Sequence, residues 1–230
     1  MTPLIEAAPE EIYDIELESS LLEANAKLAR QNRALLDEHA ITAVDFMGAI
    51  GSGKTTLITR LVERLKDSLG VAVFNGDATT AADIDPIAAQ DVPVVQIATI
   101  NGCHLDANLV GKALKKIDLE TLDLILIENI GNLICPAEFP LGSRSRWVVV
   151  SVTEGPYMVK KHPHMFLGAE VMVINKIDLA DAMGVNIEQL ARDARTLKPD
   201  IRVLPTSCKT GAGLDAAAAL LAEATATVHA

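Results

Sequence analysis

Aromatic residues are scarce in this chain of 230 residues: Phe, Tyr and Trp make up 3%, although half of the residues are hydrophobic. A core built under that shortage has to come from Val, Ile, Leu and Ala, which suits a buried parallel sheet covered by helices. Basic residues are also in deficit, 20 against 31 acidic, for a net charge of −11. That balance argues against sequence-independent nucleic-acid binding and against docking on anionic lipid, since both need clustered Lys and Arg. It leaves local binding of a nucleotide open. No run reaches the ~18 consecutive apolar residues of a membrane span. The acidic start, MTPLIEAAPEEIYDIELESS, has no basic segment followed by an apolar one, as a signal peptide would. The cysteines are only three, Cys103, Cys135 and Cys208. A cytoplasmic protein with reduced thiols is expected.

Residues 1–18 read as a loose acidic leader, and 19–230 as a single domain. The domain opens on SSLLEANAKLARQNRALLDEHA, where Ser20 and Glu23 have the spacing of a capping box. Leu21/Leu22, Leu28/Ala29 and Leu35/Leu36 recur every seven residues, the mark of an amphipathic helix. It packs either on its own domain or on a coiled-coil partner; two to three heptads are few for the latter. From residue 41, short apolar runs alternate with helical stretches: ITAVDFM, a helix from Lys54 to about Leu69, VAVFN, VPVVQIA, LDLILIE, RWVVVSV, EVMVINK, IRVLPTS, and a last helix over roughly 213–228. This alternation predicts an α/β fold, a doubly wound, mostly parallel sheet flanked by helices. Ligands in such folds bind beyond the carboxyl ends of the strands.

The first strand leads into GAIGSGKTT, residues 48–56, which fits GxxxxGK[ST] with a strand before and a helix after. Gly48, Gly51, Ser52 and Gly53 form a loop whose N–H groups cradle phosphate, backed by the positive end of the helix that also carries Thr56. Lys54 reaches the β- and γ-phosphates and Thr55 holds Mg²⁺. A second pattern, NKID, follows a later strand. Asp178 can accept two N–H groups from guanine, a pairing adenine does not offer. Lys176 covers the base plane, and Asn175 ties this loop to the phosphate loop. Ser207, Cys208 and Lys209, in SCKTG, border the base, so Cys208 reads as a small loop residue. Asp77, Asp83 and Glu128 lie at or after strand ends and are candidates for Mg²⁺ or its water shell. Asp83 and Asp85 also fit a helix start. Without an evident catalytic Gln or arginine finger, slow intrinsic hydrolysis is expected, below about 1 s⁻¹.

Cys103 and His104 follow the strand VPVVQIA, and Cys135 follows Glu128 in GNLICPAE. Loops after neighbouring strands share one rim, so the three side chains can converge beside the γ-phosphate end. Two thiolates and an imidazole suit Zn²⁺ or Ni²⁺. Three ligands leave a tetrahedral position for water or a second chain. The spacing alone is equally compatible with two buried thiols and a surface imidazole.

The segments LLEANAKLARQNRALLDEH, VDFMGAIGSGKTTL, NGD, VVQIATINGCHLDAN, LILIENIGNLICPAEF, VVVSVTEG, KHPHMF and NKIDL together resemble the HypB family, the nickel-incorporation GTPases of hydrogenase maturation. The resemblance runs from about Leu21 to Asp215. It implies a P-loop GTPase in which Cys103, His104 and Cys135 bind nickel or zinc where two subunits meet, and in which GTP favours the dimer. It implies Mg²⁺ near Thr55, Asp83 and Glu128. It also implies a hydrogenase large-subunit precursor and a companion nickel-binding maturation protein as partners. The chain departs from the family at Ala81, where an acid is frequent, and at Pro86, where Arg is common. It has no cysteine before Cys103 and no His-rich tract, so a second high-affinity metal site is not expected. His162 and His164 read as an exposed loop, with Lys160 or Lys161 available to bridge subunits. Two rival readings stand beside the metal-delivery GTPase: a GTPase chaperone of another metalloenzyme, of the urease or cobalamin-mutase type, and a P-loop kinase of a small molecule.

Overall fold

The computed structural model describes residues 4–6, 18–76, 87–99 and 102–228. Its strands are β1 (Leu4–Glu6), β2 (Thr42–Met47), β3 (Val71–Asn75), β4 (Val94–Ala98), β5 (Leu124–Glu128), β6 (Ser145–Ser151), β7 (Val171–Asn175) and β8 (Arg202–Pro205). They form one sheet in the order β1-β4-β3-β5-β2-β6-β7-β8, and every neighbouring pair is parallel. The helices are α1 (Glu18–Glu38), α2 (Lys54–Leu65), α3 (Ala107–Leu114), α4 (Met158–Lys161), α5 (Pro163–Leu167), α6 (Ala180–Met183), α7 (Ile187–Leu197) and α8 (Leu214–Ala226). Among the described residues no helix is long and apolar enough to cross a membrane.

Alternation along the strands sends side chains to two faces, both of them covered. Val44, Phe46, Val73, Leu126, Trp147 and Val173 meet Leu57, Leu61 and Leu65 of α2 and Leu214 and Leu221 of α8. On the other face Ala43, Phe74 and Ile127 meet Leu36 of α1 and Leu109 and Val110 of α3. Further along that face Met47, Val150 and Ile174 meet Val159, Phe166 and Leu190 from α4, α5 and α7. Asp45 belongs to this second face and is completely buried there.

Two sequence expectations change. The reading of 1–18 assigns no element, whereas Leu4–Glu6 pairs in parallel with Gln96–Ala98 at the sheet edge; three residues are too few to show a period. Helix α1 begins at Glu18, ahead of the Ser20 that the capping-box spacing selects. The choice left open for α1 resolves toward its own domain. Asn25 donates to the Pro140 carbonyl at 2.9 Å and accepts from the Ala107 N–H at 2.8 Å. Asn32 donates to the carbonyls of Ala107, at 2.7 Å, and Leu141, at 3.0 Å. Both asparagines are buried, and burial of an amide is stable only with such partners.

Candidate nucleotide and metal site

The central strand β2 ends at Met47 and α2 starts at Lys54, leaving Gly48–Gly53 as the connecting loop. Gly53 has φ 94°, and a Cβ there would fall 2.4 Å from Asn175 Nδ2, so both the turn and the close approach require glycine. Ser52 is fully buried and its Oγ has no hydrogen-bond partner. A buried hydroxyl left open in a glycine loop at a helix start fits a phosphate oxygen. Lys54 is buried, with Nζ 3.3 Å from the Gly48 and Ala49 carbonyls. Thr56 faces solvent. The Thr55 hydroxyl donates to Glu128 Oε1 at 2.5 Å, bringing together a hydroxyl and a fully buried carboxylate. Such hard oxygen donors fit Mg²⁺, which would draw charge from the β- and γ-phosphate oxygens. Asp77 and Asp83, and with them Ala81, Asp85 and Pro86, lie outside the described residues.

A second loop follows β7 and approaches the first. Asn175 donates from Nδ2 to the Ser52 carbonyl at 3.0 Å. Its Oδ1 accepts from Lys176 N–H at 2.8 Å and the Thr206 hydroxyl at 3.3 Å. Lys176 is left-handed, φ 61°, and its Nζ donates to the Gly51 carbonyl at 2.6 Å. Asp178 Oδ1 accepts from the Ser207 hydroxyl at 2.6 Å, which orients the carboxylate from below while the group itself stays exposed. The Cys208 thiol lies 3.5 Å from Asn175 Oδ1 and burial pushes its pKa up. Lys209 is exposed. Together these loops form a polar ledge beside the phosphate loop, able to hold a base with two adjacent N–H donors.

On the same rim, Cys103, His104 and Cys135 offer ligand atoms that all lie within 4.8 Å of one another. Cys103 Sγ is 3.5 Å from His104 Nδ1. The Cys103 thiol is pushed up to about 11 by partial desolvation and by the Cys135 thiol beside it. The imidazole stacks on Phe139, ring centroids 3.7 Å apart, and desolvation lowers its pKa against the pull of Asp106 and Glu138. Two thiols and a largely neutral imidazole form a donor set for a soft or borderline divalent ion. The cysteines are free of disulfides. The exposed-loop reading of His162 and His164 changes: His162 is half-buried where α4 meets α5, and His164 lies, exposed, within α5; neither joins the cluster.

The sequence reading passed over the groups that hold these loops in place. Asn132 donates from Nδ2 to the Cys103 carbonyl at 3.1 Å and pairs with Gly48 of the phosphate loop in an isolated antiparallel bridge. Arg146 and Asn129 both reach Asp45. The aspartate inside the apolar run ITAVDFM was a usable signal, because a buried carboxylate needs partners.

Residues 42–205 match the family model described as the CobW/HypB/UreG nucleotide-binding domain. The chain is 47% identical over 201 residues to a probable hydrogenase maturation factor HypB of Methanocaldococcus jannaschii, covering 87% of this chain and 91% of the relative. Its fold is similar to the crystal structure of the hydrogenase maturation factor HypB of Archaeoglobus fulgidus, with TM-score 0.84, 41% identity and coverage of 88% and 99%. It is likewise similar to HypB of Helicobacter pylori solved in complex with nickel, with TM-score 0.83, 31% identity and coverage of 89% and 96%.

Proposed function

Given that the chain belongs to the HypB group of the CobW/HypB/UreG family, we propose that it binds and hydrolyses GTP and delivers nickel during maturation of a [NiFe]-hydrogenase. The observation that carries the reading is the convergence of Cys103, His104 and Cys135 within 4.8 Å, with Cys135 on the loop that leaves Glu128 and touches the phosphate loop. Nickel is the cargo here, held by two thiolates and an imidazole; zinc fits the same donors.

Lys54 and the loop N–H groups of Gly51, Ser52 and Gly53 hold the β- and γ-phosphates, and Thr55, Glu128 and Asp83 are assigned to Mg²⁺. Asp178 selects guanine, Lys176 covers it, and Asn175, Ser207, Cys208 and Lys209 complete the base pocket. The Ser207 contact to Asp178 and the Asn175 contact to Ser52 support this division of roles. Three ligands per chain leave coordination to be completed, which supports a GTP-promoted homodimer that pools ligands from two chains. The proposed setting is the cytoplasm, with a hydrogenase large-subunit precursor and a companion nickel-binding protein as partners. Nucleotide can drive transfer only if the metal binds the GTP and GDP states differently.

The test is a Ni²⁺ titration of the protein and of Cys103→Ala, His104→Ala and Cys135→Ala, each in GDP and in a non-hydrolysable GTP analogue, with mass measured in parallel. Weakened nickel binding in all three variants is expected, together with a larger mass in the GTP analogue. Unchanged affinity in the cysteine variants would sink the reading.

A further inference from the structure

The two halves of the metal cluster arrive on different loops, and one buried polar chain spans the gap between them. On one side, Arg146 at the start of β6 donates from Nη1 to the Ala137 carbonyl at 3.0 Å; Ala137 closes the short 3-10 turn that begins with Cys135. The Arg146 Nε lies 3.8 Å from Asp45 Oδ2. Asp45 Oδ1 accepts from Asn129 Nδ2 at 3.0 Å. On the other side, Asn129 Oδ1 accepts from the Leu105 N–H at 3.1 Å, directly after His104. It also accepts from Ile130 N–H at 2.9 Å, so the amide orientation is fixed by its neighbours. Asp45 and Asn129 are both 0% exposed.

Asp45 sits on β2, three residues before Gly48, where the phosphate loop begins. Asn129 follows Glu128 directly, and its N–H donates to the Phe46 carbonyl of β2 at 3.0 Å. A parallel link runs outside the chain: Asn132 grips the Cys103 carbonyl and bridges to Gly48.

We infer that Arg146, Asp45 and Asn129, with Asn132, are positioning residues that set the separation of the Cys135 turn from the Cys103–His104 turn. Asp45 lies outside the Cys103–His104–Cys135 cluster, and a guanidinium or a carboxamide is a poor ligand for a soft or borderline ion. Their effect is exerted through Ala137, Leu105 and the Cys103 carbonyl, and it is anchored on the strand that feeds the phosphate loop. The inference rests on the metal-site reading given above.

Arg146→Met and Asn132→Ala test it, measured for Ni²⁺ affinity, thiolate-to-nickel charge-transfer absorption, GTP affinity and denaturant stability. Both variants are expected to lose about tenfold or more in nickel affinity, the scale at which outer-sphere partners act on metal sites. The charge-transfer band shifts, and in Arg146→Met, which makes no contact with the phosphate loop, GTP affinity stays within about twofold. A smaller loss of nickel affinity in the folded variants, with an unchanged spectrum, overturns the inference. Should Arg146→Met fail to fold because Asp45 is left unpaired, the double variant Asp45→Asn/Arg146→Met removes both charges and carries the same test. Cys135→Ala serves as the control. If it keeps wild-type nickel affinity, the metal-site reading itself has failed. If it loses nickel while the Arg146 and Asn132 variants do not, only the positioning role has.

Discussion

The hydroxyl of Thr55 donates to Glu128 Oε1 across 2.5 Å, joining the first turn of α2 to the end of β5 on the floor of the phosphate site. In the proposed function these two groups would hold Mg²⁺ or its water; Thr55→Ala removes the hydroxyl oxygen, and Glu128→Gln removes the negative charge while keeping a neutral oxygen. A charge-assisted contact of this kind is worth about 1.5–3 kcal/mol. Thr55→Ala and Glu128→Gln are therefore expected to lower Mg²⁺-dependent GTP hydrolysis by about tenfold or more. Thr55→Ser should retain most of it. Hydrolysis measured across a Mg²⁺ titration checks this, and full activity in Thr55→Ala would refute the pairing.

In the proposed function, base selection falls to Asp178. Its carboxylate, braced by the Ser207 hydroxyl at 2.6 Å, accepts two N–H groups in the proposed complex. Asp178→Asn leaves a donor facing those donors and should weaken GTP by roughly two orders of magnitude or more, while improving xanthosine triphosphate. Competition binding with GTP, ATP and xanthosine triphosphate reads the outcome. Equal binding of ATP and GTP by the unmodified protein would remove the basis for the guanine assignment.

Stability carries a pH signature from Asp45. Burial raises its pKa from 3.8 to about 6, against the opposing influence of Arg146 and Asn129. A carboxyl with a raised folded-state value contributes its full stability below about 3.8, and that contribution is lost as pH rises through about 6. Asp45→Asn abolishes the titration. Between about pH 4 and pH 7 the stability difference should move in favour of the variant, by up to about 3 kcal/mol. Denaturant unfolding of both proteins across that range provides the measurement; a pH-independent difference contradicts it.

Asn32 makes a separate prediction about folding. Asn32→Ala leaves the Ala107 and Leu141 carbonyls without their donor in the interior. The expected cost is about 1–3 kcal/mol, or a Tm lower by roughly 3–10 °C for a chain of this size. Nucleotide affinity should be preserved, since neither carbonyl touches the phosphate or base loops. A thermal melt and a GTP titration on the same preparation distinguish the two effects.

Strands β2 to β7 were legible because the sheet is covered on both faces, so most of them read as largely apolar runs, whereas the three-residue β1 at the edge was not. The phosphate loop was legible because its glycines and Lys54 answer to local geometry that few sequences reproduce by chance. Cys103 and Cys135 were harder. Their spacing in sequence carries no distance, and only the sheet order, with β5 beside β3 and β3 beside β4, brings their loops to one rim. Asn129, Asn132 and Arg146 were missed for a related reason. An asparagine in a loop looks like turn chemistry, and an arginine at a strand start looks like a solvated edge. Each acquires its role from a partner far away in the chain. Asp45 alone carried a visible conflict, a charge within a buried strand.

Asn25 and Asn32 of helix α1 fasten the segments downstream of the Cys103–His104 turn and the Cys135 turn, at Ala107 on one side and Pro140–Leu141 on the other. A genetic map of the protein would therefore be misleading if read by proximity. Loss-of-function substitutions should scatter into this outer helix and mimic damage to the ligands themselves, because the helix acts as a splint across two joints it never enters.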